Sequence, residues 1–142
     1  MADFAQRIGV SGRSKALRSG ELALPRYLEQ LEGVFNVREP EVLAFLPEPN
    51  RFERLQREAA ALQAQYPDPD SRPRLFGLPV GVKDIFHVDG FPTQAGSRLP
   101  AERLGGQQAR CVGRLRTQGA LILGKTVTTE FAYFAPGPTR NP

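Results

Sequence analysis

Gln107-Gln108-Ala109-Arg110-Cys111-Val112-Gly113-Arg114-Leu115-Arg116-Thr117-Gln118-Gly119-Ala120-Leu121-Ile122-Leu123 is the stretch that decides the fold class. Residues 107–118 place Ala109, Val112 and Leu115 three apart, which predicts a helix buried along that stripe. Gly119 ends it, since glycine readily takes the left-handed conformation at a helix end. Residues 120–123 are wholly apolar and suit a parallel strand buried on both faces. Helix, glycine, apolar strand is half of a βαβ unit, so an α/β sheet is expected.

Upstream, Leu78, Val80 and Val82 are β-favouring, and Pro79 restricts that strand to an edge or to its first residue. The strand around Val80 and Val82 is also expected to be buried on both faces. It delivers Lys83 and Asp84 to its carboxyl end, where open α/β sheets build their sites. Gly77, Pro79, Gly81, Gly90, Pro92 and Gly96 surround the spot, a density that points to a backbone held in specific conformations.

Residues 1–66 read as a helical region. Residues 14–19 form a short helical turn closed by Gly20. Leu24, Leu28, Leu31 and Phe35 form one stripe of an amphipathic helix, with Pro25 in its first turn and Pro40 as its expected stop. Residues 42–46 suit a short strand. Asn50 is the expected N-cap of the next helix, with Glu53 completing a capping box and Phe52, Leu55, Ala59 and Leu62 on its apolar face. Glu53–Arg57 and Arg54–Glu58 are favourable pairs four apart, worth about 0.3 kcal/mol each. Residues 67–76, rich in proline and charge, form an exposed connector, and 77–142 form the sheet-bearing part.

The chain has 142 residues, 40% hydrophobic and 24% charged, which is the size and make-up of one globular domain. No apolar run is long enough to span a bilayer, and charges from Asp3 to Arg18 interrupt any signal-peptide core. A single cysteine, Cys111, excludes an internal disulfide and fits a reducing compartment, so the cytoplasm is expected. The net charge of +4 does not make a nucleic-acid surface, because the arginines are scattered and alternate with acids along the helices. Neither a zinc ligand set nor a phosphate-binding loop is present in the sequence.

The segment Gly77-Leu78-Pro79-Val80-Gly81-Val82-Lys83-Asp84, followed by Gly90-Phe91-Pro92-Thr93 and Ala95-Gly96-Ser97, resembles the amidase signature family. So do Gly119-Ala120-Leu121-Ile122-Leu123-Gly124-Lys125-Thr126, Thr129-Glu130-Phe131 and Gly137-Pro138-Thr139-Arg140-Asn141-Pro142. Order and spacing agree from about Gly77 onward; Leu17-Arg18-Ser19-Gly20-Glu21-Leu22 is similar but less specific. The resemblance implies an α/β fold, the N-terminal part of the family's mixed-sheet core flanked by helices, and incomplete here.

It also implies hydrolysis of amide C–N bonds by a Ser–cisSer–Lys triad without a cofactor. The triad lysine maps onto Lys83. A lysine works as a base near neutral pH only when burial strips water from its ammonium, and loops rich in glycine at a strand end are expected to supply that burial. The family's two serine motifs are expected beyond Pro142. The sequence has Ser11, Ser14, Ser19, Ser71 and Ser97, none in either context, so these residues alone are expected to be inactive. Ser97 superficially resembles a nucleophile but belongs to the Ala-Gly-Ser motif, which reads as structural.

Asp84 reads as ordering local backbone, His87 as packing a loop, Cys111 as buried filler and Lys125 as anchoring a loop. Glu130, Phe131 and Tyr133 are expected to open a helix or turn lining the pocket. The expected partner is a small-molecule amide, with neither nucleic acid nor membrane, and a homo-oligomer of the longer protein is compatible with the sequence. The A subunit of a tRNA-dependent (glutamyl/aspartyl) amidotransferase is the alternative within the same fold. A truncated, non-catalytic product is the alternative from another class.

Overall fold

The computed structural model describes residues 9–133 and 135–141. Helix α1 spans Val10–Ser19, α2 Leu24–Val42, α3 Arg51–Gln65 and α4 Arg110–Thr117; strands β1 and β2 span Pro79–Lys83 and Leu121–Thr126. Short 3-10 turns lie at Pro69–Ser71, Ala101–Leu104 and Glu130–Ala132.

The two strands are parallel, and α4 lies on the crossover between them, as the glycine-terminated helix and apolar run predicted. Pro79 is the first residue of β1, where its missing N–H costs no ladder bond. The register runs from Pro79↔Leu121 to Lys83↔Thr126 and shifts between Val80 and Gly81, so Leu123 is bulged out of it. Each face of the sheet meets its own core. Leu78, Leu121 and Leu123 pack with Leu28, Phe52, Leu55 and Ala59 of α2 and α3. Ile122 and Val82 pack with Val112 of α4 and with Val88 from the loop after β1 on the other face.

Several expectations require correction. β2 is buried from Leu121 to Lys125, but in β1 only Val82 is buried, so β1 is not enclosed on both faces. Among the described residues β1 pairs only with β2 and is therefore an edge. Residues 44–46 run antiparallel along the far side of β2, bridging Phe45 to Thr126, with Leu46 N donating to Lys125 O and Val127 N to Ala44 O, both at 2.8 Å.

Pro40 does not stop α2. It lies in the last turn, and Leu43 N reaches past it to Glu39 O at 2.8 Å, with Leu43 itself left-handed at φ 52. Asn50 precedes α3 at the N-cap position but is left-handed at φ 56, and its side chain makes no capping bond. The start of α3 is held instead by Glu48, which pairs with Arg51 at 3.2 Å and Arg54 at 2.6 Å; Arg54 also takes the expected partner Glu58 at 3.0 Å.

The connector is exposed at its tip, yet its end is core: Phe76 is fully buried. Arg72 donates to Leu17 O at 3.0 Å and Arg18 O at 3.1 Å, supplying cationic donors to the carboxyl end of α1. α4 begins at Arg110, later than the expected 107, and Cys111 is exposed on it, because the buried position is its neighbour Val112, about 100° round the helix. Among the described residues no helix is long and apolar enough to cross a membrane.

Candidate active site

β1 and β2 end side by side at Lys83 and Thr126, and the chain leaves both ends into loops on the same side of the sheet. Asp84 extends the ladder one residue, its N–H donating to Thr126 O at 3.0 Å. The backbone then turns sharply, with Phe86 N donating to Lys83 O at 3.0 Å.

A pair of opposite charges is buried at this end. The Lys125 ammonium lies 2.7 Å from Asp84 Oδ1, with Lys125 3% and Asp84 1% exposed. The contact is off the hydrogen-bonding direction at Oδ1, so proximity of the charges carries it. The same ammonium donates to Thr93 Oγ1 at 3.0 Å and Pro92 O at 3.2 Å. Asp84 Oδ2 accepts from Gln94 N at 3.2 Å, and Asp84 O from Ala95 N at 3.0 Å. The loop after β1 is thus folded back onto its own start, and Lys125 anchors it.

The next loops continue the lacing. Phe131 N donates to Ala95 O at 2.8 Å. Gly96 sits at φ +66, where a Cβ would stand 2.7 Å from Thr128 O, so only glycine lets the turn at 94–97 press against the segment after β2. Ser97 donates its hydroxyl to Gln94 O at 2.8 Å and accepts from Leu99 N at 3.3 Å. Its oxygen is committed to the turn, as its structural reading requires.

Lys83 is exposed, and among the described residues no hydrogen bond or ion pair engages its ammonium. The expected burial therefore goes elsewhere: the loops close over Asp84 and Lys125, while successive strand residues face opposite ways and Lys83 points to the open side. Beside the strand ends lies a hollow of about 410 Å³ lined by Ile85, His87, Thr93, Ala95, Leu104 and Phe131. His87 packs a loop: its ring occupies the space beside Gly106, and its carbonyl accepts from Ala109 N at 3.0 Å. The turn at Glu130–Ala132 brings Phe131 to the hollow, as expected, while Tyr133 projects outward at 81% exposure.

Sequence reading located Lys83, Asp84 and Lys125 but not their pairing, nor the parts of Pro92, Thr93 and Gln94. One signal was present. Lys125 follows closely on an apolar run, 120–123, read as a buried strand, and an ammonium carried into a buried site demands an acid. Among the described residues no cluster of three or more His, Cys, Asp or Glu could hold a metal ion.

A parallel sheet with helices on both faces and its loops gathered at the strand carboxyl ends defines an α/β protein with a site of the open-sheet kind. The family model described as Amidase matches residues 50–142, and the chain belongs to that family. It is 41% identical over 104 residues to the A subunit of the glutamyl-tRNA(Gln) amidotransferase of Koribacter versatilis (strain Ellin345), covering 66% of this chain and 22% of that protein. It is 38% identical over 96 residues to an acylamidase of Rhodococcus erythropolis, covering 63% of this chain and 20% of that one. Among solved structures, native peptide amidase from Stenotrophomonas maltophilia superposes with a TM-score of 0.74 at 26% identity, over 98% of this chain and 28% of that one. The chain thus spans between about a fifth and somewhat over a quarter of the length of such relatives.

Proposed function

We propose that this chain supplies the lysine-bearing strand end of an enzyme that hydrolyses the C–N bond of a small or medium amide, with Lys83 as its proton acceptor. The observation that carries the reading is the contrast between the two lysines at the strand ends. Lys125 is buried and committed to Asp84, while Lys83 is exposed with its ammonium unengaged among the described residues, so the burial that makes it a base has to come from the segments of the longer protein that carry the serines. In the reaction, Lys83 takes a proton through a bridging serine, and the second serine attacks the amide carbonyl. The amine leaves with a proton, and water releases the acid from the acyl-enzyme. Both serines belong to motifs absent from these 142 residues. The hollow lined by Ile85, Leu104 and Phe131 favours a substrate with an apolar group beside the amide.

The test uses a chain of the relatives' full length that begins with these residues. Lys83→Ala should lower turnover of aryl amides by about 10²–10⁴ while leaving the fold intact. Wild-type turnover in a folded Lys83→Ala enzyme removes the assignment. Residues 1–142 alone should show no turnover and no labelling by an alkyl fluorophosphonate; labelling at Ser97 would make that serine a nucleophile.

A second reading has its own support. The Koribacter relative is named as the A subunit of a glutamyl-tRNA(Gln) amidotransferase, and this chain shares 41% of its residues over the matched span. That reading expects partner subunits to co-purify with the full-length protein. The stand-alone reading, toward which the run Glu130-Phe131-Ala132-Tyr133-Phe134-Ala135-Pro136-Gly137 leans, expects a protein active without them.

A further inference from the structure

We infer that Asp84 and Lys125 are positioning residues for Lys83, a buried pair that sets where its ammonium stands; this rests on the assignment of Lys83 made above. A buried ion pair is a poor way to stabilise a loop, because removing water from two charges offsets much of their attraction. What such a pair adds is direction. Here the two charges are packed tightly among polar groups. The ammonium donates to Pro92 O and Thr93 Oγ1 and lies 2.7 Å from Asp84 Oδ1, to which it is bound by charge. The carboxylate divides its oxygens between Lys125 and Gln94 N.

Asp84 follows Lys83 directly, and its backbone is tied at both ends, N–H to Thr126 O and carbonyl to Ala95 N, each at 3.0 Å. Lys83 O is held as well, by Phe86 N at 3.0 Å. Adjacent residues of a strand point to opposite faces, so locking the Asp84 side chain on the buried face fixes the vector of Lys83 on the open one. Turning Lys83 away therefore means tearing Asp84 from Lys125 in a dry site.

The experiment measures kcat and KM in the chain of the relatives' length, with kcat expressed per site counted by exhaustive fluorophosphonate labelling. The variants are Asp84→Asn, Lys125→Met, the double Asp84→Asn/Lys125→Met and Lys125→Arg, beside Lys83→Ala. Asp84→Asn and Lys125→Met should each lower kcat per site by about 10- to 100-fold with KM within about threefold, the signature of a displaced group and not of lost substrate binding. The double variant leaves no unpaired charge and should lose no more than the worse single one. Should Lys125→Met not fold, Lys125→Arg keeps the charge but replaces the compact head group with a planar fork, and about a tenfold loss per site is expected.

A purely structural pair would reduce the number of labelled sites and leave kcat per site unchanged; that result overturns the inference. So do losses in the two single variants that simply multiply in the double. Inactive Lys83→Ala with unaltered kcat per site in Asp84→Asn refutes positioning alone, whereas turnover in Lys83→Ala refutes the base on which both proposals depend.

Discussion

Tyr27 shows how burial acts on a single ionisable group in this chain. Its ring is 6% exposed within the core of α2 and α3. Burial pushes its phenol above the ordinary value of 10.0, and the Arg13 guanidinium draws it part of the way back. The neutral form is thus favoured on folding. Its contribution is fully present below pH 10.0 and is lost as pH rises through the elevated folded-state value. Tyr27→Phe should cost about 1 kcal/mol at pH 8 through the hydrogen bond to Arg13. The deficit should shrink above pH 10.0, where wild type alone has to ionise a buried phenol. Unfolding midpoints of the two proteins from pH 8 to 11 check this; a deficit independent of pH would count against it. At this scale the sequence was informative wherever chemistry is local. Lys83, Asp84 and Lys125 could be named from strand and glycine patterns. That Asp84 and Lys125 meet depends on a pairing between strands some forty residues apart, which no local pattern contains.

Elements were legible in proportion to their periodicity. The stripe of α2, the apolar face of α3 and the helix–glycine–strand passage came through, because each is written in consecutive residues. Their ends did not. Pro40 was absorbed because a proline in a last turn forfeits a single bond, and Asn50 lost its capping role when its backbone turned left-handed. Cys111 was misplaced since an eight-residue helix has a buried stripe only one residue wide. Gly119, by contrast, carries two duties at once. It is left-handed at φ +83, and a Cβ there would meet Pro73 Cγ at 2.8 Å and Phe76 Cα at 3.0 Å. Gly119→Ala should therefore destabilise by about 1–3 kcal/mol, more than the helix-end conformation alone would cost. Chemical denaturation of the full-length protein measures it, and a loss below about 0.5 kcal/mol would mean that the connector yields to the new methyl group.

At the scale of the molecule, the two strands of the sheet are covered unequally. β2 is covered on both faces and flanked on both edges, by β1 and by residues 44–46. Among the described residues β1 has one paired edge, and its Gly81 and Lys83 are open to solvent. Ile85, Phe86, Leu99 and Phe131 add exposed apolar surface around the same strand end. An open edge beside apolar surface invites association, so residues 1–142 alone should bind a hydrophobic dye and self-associate in sedimentation velocity. A monomer with a cooperative thermal transition and no dye binding would show that these residues form a self-sufficient unit. The joint between α1 and the connector is better knit, and Arg72 adds to the core there. Its guanidinium holds the carbonyls of Leu17 and Arg18, lies 4.6 Å from the Phe76 ring, and so rivets two segments that are distant along the chain. Covalent continuity across the tip at Pro69–Ser71 is therefore dispensable: a protease nick there would leave the first three helices and the sheet as one non-covalent body, held by the core they share with Phe76, Leu78, Leu121 and Leu123, by the bonds of residues 44–46 to β2, and by Arg72.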